Sequence, residues 1–222
     1  MKNVLCLFLI LFSSSLIVFP SDIVWPDSLD TAKNVSYLTE EEKNVILEMN
    51  KVRTNPKAYA EYLRQERTLF DGDIVRKPGE IPLKTSEGVV ALDECLVFLE
   101  NMEPMGCLYP DRNLSRAAEQ HAGDQSKTGD TGHLGSDKSM FDKRIKKYSK
   151  APYIRVAENI SYGFGTGYSV VLRLMIDDGV KDRGHRDNIM TSGFDLCGVS
   201  IKPHPVYRYI CVITYMQSGN PD

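Results

Sequence analysis

The chain reads as a single α+β domain, and three observations support that class. Apolar residues recur at helical spacing through most of residues 39–178, and a run rich in Val, Ile, Tyr and Thr closes the chain from Leu196 to Gln217. No internal repeat or second domain is found between the two regions. With 222 residues, 42% of them hydrophobic, the chain has material for one large core. A net charge of only −3 leaves no electrostatic footprint for nucleic acid.

Residues 1–25 carry one Lys and then an apolar run from Val4 to Phe19, the pattern of a secretory signal and too short for a membrane span. Ser13-x-Ser15 fits the small-residue cleavage rule but shortens that run, so an uncleaved N-terminal anchor stays open as the alternative. Either form places the protein outside the cell, with no membrane span left after cleavage. Cys6 goes with the signal, leaving Cys95, Cys107, Cys197 and Cys211. An even count in an exported chain predicts two disulfides.

Residues 26–38 are expected to form a flexible lead-in, followed by one domain over 39–222. Thr39 with Glu42 makes a capping box for a helix whose inner face is Val45, Ile46, Met49 and Val52. Asn55-Pro56 stops it and caps a second helix with Tyr59, Tyr62 and Leu63 inward. Residues 70–85 read as a connection, and 86–100 as a third helix with Val89, Leu92, Leu96 and Leu99 on one face. A helix from about Asp111 to Lys127 puts His121 on the stripe of Leu114, Ala117 and Ala118, where a hydrogen-bonded core residue is expected. Ser139 should cap a short helix packed by Met140, Phe141, Ile145 and Tyr148. The tail folds as a hairpin; with His204 at its apex, Cys197 and Cys211 stand equidistant and pair across the strands, leaving Cys95 with Cys107 by exclusion.

One short stretch concentrates the chemistry. Residues 176–190, IDDGVKDRGHRDNIM, place Asp177 and Asp178 at the end of a helix carrying Val171, Leu174 and Met175, with Gly179 as its left-handed stop and His185 beyond. Asp178 continues the apolar stripe, which favours it over Asp177. Upstream, His133 sits in the Gly-dense TGDTGHLGSD loop and Glu158 follows Val156-Ala157.

Taken together, NKVRTNPKAYAEYL, LSRAAEQHA, the Gly-His at 132–133, AENISYG and IDDGVKDRGHRDNI resemble, in order, the CAP superfamily of cysteine-rich secretory proteins, antigen 5 and pathogenesis-related 1 proteins. The likeness spans about residues 42–217, within the SCP-like extracellular branch. It implies a three-layer α-β-α sandwich with a central cleft holding two His and two acids: His133, Glu158, His185, and Asp178 with Asp177 as its substitute. The fourth position departs from the family pattern, which has Glu on a helix led by Trp.

Two imidazoles and two carboxylates suit a divalent cation such as zinc, or a hydrogen-bonded polar network without metal. The resemblance implies a secreted binding module for a metal, a lipid or sterol, or an extracellular protein. The alternative is a metal-assisted hydrolase, a peptidase or esterase, with Glu158 as base and His185 beside it. HExxH and G-x-S-x-G are both absent, and a Ser/His/Glu site would need Ser136 or Ser161 near His185.

Overall fold

The computed structural model describes residues 23–79 and 81–219, so the expected signal lies outside the described residues except for its last three positions. Thr39 and Glu42 form the reciprocal cap of α1 (Glu40–Thr54), the Thr39 N–H donating to the Glu42 carboxylate at 2.8 Å. Asn55 ends α1 and caps α2 (Pro56–Arg67), its Oδ1 accepting from the Ala58 N–H at 3.1 Å. The inner faces fall where the spacing puts them: Val45, Ile46, Met49, Val52, Tyr59 and Leu63 are fully buried. The supposed flexible lead-in is instead docked. Leu29, Ala32 and Leu38 are buried, Trp25 Nε1 donates to Tyr62 Oη at 2.9 Å, and buried Asn50 donates to the carbonyls of Leu29 and Leu108. Three apolar anchors outweigh the polar composition around them.

Residues 70–84 are more than a connection. They form a small antiparallel sheet of β1 (Phe70–Asp71), β2 (Ile74–Val75) and β3 (Leu83–Lys84). Next come α3 (Val89–Asn101), β4 (Tyr109–Pro110), α4 (Arg112–Thr128) and α5 (Phe141–Tyr148). The order closes with β5 (Tyr153–Tyr162), α6 (Gly167–Ile176), α7 (Gly184–Ile189), β6 (Leu196–His204) and β7 (Arg208–Ser218). The main sheet runs β4-β6-β7-β5, with β4 parallel to β6 and the other pairs antiparallel.

Strand alternation sends side chains into two cores. Cys197, Val199, Cys211, Ile213 and Tyr215 join the larger one with α1, α2, α3 and α6. Ile160, Ile210, Val212 and Met216 face the other way, onto α4 and α5. The result is the three-layer α-β-α sandwich expected from the family likeness. α4 approaches β6 so closely that only glycine fits at 198, where a Cβ would lie 2.1 Å from the Leu114 carbonyl carbon. Buried Arg53 closes the C-terminal end of α7, donating to the carbonyls of Ile189 (2.7 Å), Thr191 (2.9 Å) and Phe194 (2.9 Å). Among the described residues no helix is long and apolar enough to cross a membrane.

The hairpin register overturns the predicted Cys197–Cys211 bridge. His204 pairs with Arg208, so the turn centres two residues later than expected; Cys211 faces Ile201 and Cys197 faces Tyr215. Both thiols point into the same core but stand about 13 Å apart along the strands, far beyond disulfide reach. Cys95–Cys107, which rested on exclusion, falls with it: all four cysteines are free thiols. Burial pushes Cys95 up to about 12 and holds Cys197 and Cys211 well above the usual thiol range.

Candidate functional site

The His185 half of the site begins where α6 stops. The helix ends at Ile176, and Asp177 itself takes the left-handed cap position at φ 58°, its N–H donating to Arg173 O at 2.8 Å. Extrapolating the stripe to Asp178 therefore fails, because the helical period has already ended. Asp177 turns inward, 3% exposed. Its Oδ1 accepts from His185 Nδ1 at 2.6 Å, and its Oδ2 accepts from the backbone N–H groups of His185 (3.0 Å) and Arg186 (3.3 Å). Asp178 turns the other way and accepts from the N–H groups of Ser86 (2.7 Å) and Glu87 (2.8 Å), just ahead of α3. The acid beside His185 is Asp177. Gly179, expected as the helix stop, supplies a second positive φ (83°) in the turn that follows.

Two arginines fix this segment. Arg183, also left-handed at φ 53°, donates to Glu87 (2.7 Å), Glu94 (2.7 Å) and the Asp177 carbonyl (2.8 Å). Such backbone persists only where its surroundings over-determine it. Arg183 and the Gly179 N–H hold the Glu87 carboxyl down at about 2. Arg186, 2% exposed, donates to the last α6 carbonyls, Met175 (2.7 Å) and Ile176 (3.0 Å).

The His133 half lies beyond α4, which a left-handed Gly129 (φ 77°) terminates. His133 Nδ1 donates to Glu158 Oε1 at 2.9 Å. Glu158, its side chain fully buried on β5, also receives Arg144 Nη2 at 2.9 Å on both oxygens. Arg144 is itself 2% exposed and donates further to the carbonyls of His133 (3.1 Å) and Ser139 (2.7 Å). Sequence reading missed Arg144, although it shares a helical stripe with Phe141 and Tyr148.

β5 is the outer strand of the sheet and carries both halves. Glu158 points toward α4 and α5, while its neighbour Asn159 points to the opposite face. There Asn159 Nδ2 donates to the His185 carbonyl (2.9 Å) and to Tyr215 Oη (3.2 Å), and its Oδ1 accepts from Asn188 Nδ2 at 2.8 Å. The structure thus pairs His133 with Glu158 and His185 with Asp177, one pair on each side of the edge strand. The His133 and His185 side chains are 41% and 24% exposed, and among the described residues neither Nε2 has a hydrogen-bond partner. His121 is a buried core histidine as expected, its Nε2 donating to the Gly132 carbonyl at 2.9 Å, and burial lowers its pKa. Ser136 bonds Asp124 at 2.6 Å, and neither it nor Ser161 partners His185 among the described residues.

The predicted four-ligand metal set does not fit this arrangement. Glu158 is spent on Arg144 and His133, and a guanidinium on both its oxygens repels a cation. Asp177 is spent on His185 and two N–H groups, and Asp178 is elsewhere. Among the described residues no three or more His, Cys, Asp or Glu side chains converge on a metal position. The donors left are the two imidazole Nε2 atoms, each ring held by a carboxylate in the manner of an outer-sphere partner.

The CAP family, described as the cysteine-rich secretory protein family, matches residues 48–215, and the chain belongs to it. No curated protein matches. Among solved structures, the chain is 16% identical to an outer surface protein from Borrelia burgdorferi, with a TM-score of 0.44 over 52% of this chain and 80% of that one. An extracellular protein containing a SCP domain from Bacillus anthracis is 18% identical, with a TM-score of 0.43 over 51% of this chain and 35% of that one. A cysteine-rich secretory protein from Staphylococcus aureus is 16% identical, with a TM-score of 0.36 over 63% and 43%. The chain spans less than half of the latter two proteins.

Proposed function

We propose that this protein is an extracellular, non-enzymatic binding module of the CAP family. One observation carries the reading: both acids of the site are already committed, Glu158 to a buried arginine and Asp177 to backbone N–H groups, so neither is a free base. A general base needs an uncommitted lone pair facing the substrate, so Glu158 is not available to the hydrolase alternative as its base. A divalent cation would be taken through the Nε2 atoms of His133 and His185, with the carboxylates fixing the rings and solvent completing the shell. A lipid or sterol has room in a groove of about 900 Å³ beside Phe164, Ile201 and Tyr209, next to Ile81, which is 92% exposed. A protein partner outside the cell is the other ligand class.

Calorimetric titration of the chain with ZnCl2 tests the cation arm. Alanine at His133 or His185 should each remove most of the affinity, with the double variant adding little. Wild-type affinity in both single variants would dissolve the shared site. Mass spectrometry of lipids extracted from the secreted protein tests the groove. Glu158-dependent turnover of a casein or ester panel would restore the hydrolase.

A further inference from the structure

The outward faces of α4 and α5 carry positive charge that few acids answer. Residues 143–150 hold five cations and no acid, in a chain whose net charge is −3. One of them, Arg144, turns inward to Glu158, while Lys143, Lys146, Lys147 and Lys150 are exposed. On α4, Arg112 and Arg116 are exposed and one turn apart. Among the described residues neither arginine has a carboxylate partner, and nor do Lys143, Lys147 and Lys150. The exposed ion pairs of this face are Lys146–Asp142 at 3.4 Å and Lys202–Glu119 at 3.0 Å. Like charges four apart on a helix repel, as Arg112 does Arg116 and Lys143 does Lys147, so the fold keeps them at some cost in stability.

The cations are also held in place. Arg116 Cζ lies 4.7 Å from the Tyr148 ring centroid and Lys147 Nζ 5.1 Å from the same centroid, which puts the two charges within 10 Å across the seam between the helices. Gln120 Oε1 accepts from Lys147 Nζ at 2.8 Å and from Tyr148 Oη at 3.0 Å. Arg112 Cζ sits 5.7 Å over the Tyr37 ring. Beyond the arginines a groove of about 340 Å³ runs to Lys202, and its buried acid, Glu42, is spent on the N–H groups of Thr39 and Ile201. Side chains ordered in advance lose less entropy when a ligand arrives.

The cations form a line from α5 across α4, with Cβ atoms about 5–6 Å apart at helical neighbours. Such a line is too long for one small anion. Nucleobases find no stacking platform, because the Tyr37 and Tyr148 rings already carry cations over them. A bilayer finds no anchor, since neither helix exposes a large apolar side chain. A polysaccharide with a carboxylate on every second sugar spaces its charges too widely, whereas a sulfated chain carries them on successive rings. Guanidinium groups bind such oxyanions through two N–H donors at once. We infer that the α4–α5 face is a docking surface for a linear sulfated polysaccharide, separate from the His–acid pairs.

The test is fluorescence anisotropy of the full chain with a labelled heparin oligosaccharide. Unlabelled heparin, hyaluronate, duplex DNA and phosphatidylcholine–phosphatidylserine vesicles compete at equal negative charge. Heparin alone should displace the label efficiently, and its affinity should fall at least tenfold between about 50 and 200 mM NaCl. Arg116→Gln and Lys147→Gln should each weaken binding roughly three- to tenfold, and the double variant further. Their urea midpoints should stay near that of the wild type, as for other surface substitutions. Lys57→Gln, an exposed cation on α2, should bind like wild type. The assignment is overturned by absence of binding at the lower salt, by wild-type affinity in the double variant, or by an equal loss in Lys57→Gln. Displacement by hyaluronate, DNA or vesicles as efficient as by heparin overturns it too.

Discussion

Arg144→Met removes the guanidinium that faces Glu158 while keeping much of the apolar stem. The carboxylate left behind has no exposed side-chain surface, and the carbonyls of Ser139 and His133 lose their donor as well. Breaking a buried ion pair from one side costs about 3–5 kcal/mol, because the surviving charge stays desolvated. For a domain near 200 residues each kcal/mol moves Tm by roughly 2–4 °C, so the fall should be roughly 6–20 °C. Glu158→Leu should be costly for the mirror-image reason, since it strands the arginine. The double variant Arg144→Met/Glu158→Leu removes both charges, and its cost should be less than the sum of its parts by about 2 kcal/mol or more. Urea melts of the four proteins give that coupling directly. A single-variant cost below about 1 kcal/mol, with a strictly additive double, would show that the pair does not hold the His133 loop in place.

Asp177→Ala should cost about 2–4 kcal/mol, combining lost hydrogen bonds with an alanine forced to positive φ; Asp177→Gly should recover about 1 kcal/mol of this. Asp178→Ala should cost only about 1 kcal/mol, as for a lost N-terminal cap, and leave ZnCl2 affinity unchanged; urea melts and calorimetry separate the two. Without reductant, Cys95, Cys107, Cys197 and Cys211 should all alkylate in denaturant, and Cys107, the partly exposed one, should react first in the native protein; a mapped Cys197–Cys211 disulfide would contradict the hairpin register. Glu87, held near 2 against an ordinary 4.5, contributes stability that is present above about 4.5 and lost as pH falls toward 2, so Glu87→Gln should flatten the urea midpoint across that window. His121, lowered by burial from 6.5, should begin to destabilise the fold as pH drops below about 6.5, a limb that His121→Gln removes.

Much of this was legible in the chain because it is local. The Thr39 cap, the Asn55-Pro56 junction and the inward stripes of α1, α2 and α4 each depend on residues within a turn of one another. His133, Glu158 and His185 were identified through ordered motifs, and the structure gives each imidazole a carboxylate. What was not legible depends on where a period stops. The choice of Asp178 assumed that α6 continued through it, whereas a left-handed Asp177 ends the helix and reverses which acid faces inward. The disulfide argument assumed a turn centred on His204; moving the centre by two residues moves every cross-strand partner by four. Arg144 was hidden by composition, since one buried arginine among Lys143, Lys146 and Lys147 looks like a solvated basic face until the stripe is followed. Asn159-Ile-Ser161 and Asn34-Val-Ser36 both match the N-x-Ser acceptor pattern for glycosylation, but the Asn159 amide is fully buried in bonds to His185 O and Tyr215 Oη, whereas Asn34 is exposed.

The bonds from Arg53 to the carbonyls after α7 have a consequence for biosynthesis. The segment bearing His185 is gripped from far upstream by Arg53, Glu87 and Glu94, and from downstream by Tyr215 through Asn159. Chain emerging from a ribosome can complete α1 and α2 early, but the geometry around His185 must wait for β7. Contacts so distant in sequence slow folding, and they prevent a truncated product from carrying a finished half-site. A nascent protein cut short before residue 215 would therefore display well-formed helices and an unformed His185 segment, a state that quality-control proteases can distinguish from the mature product.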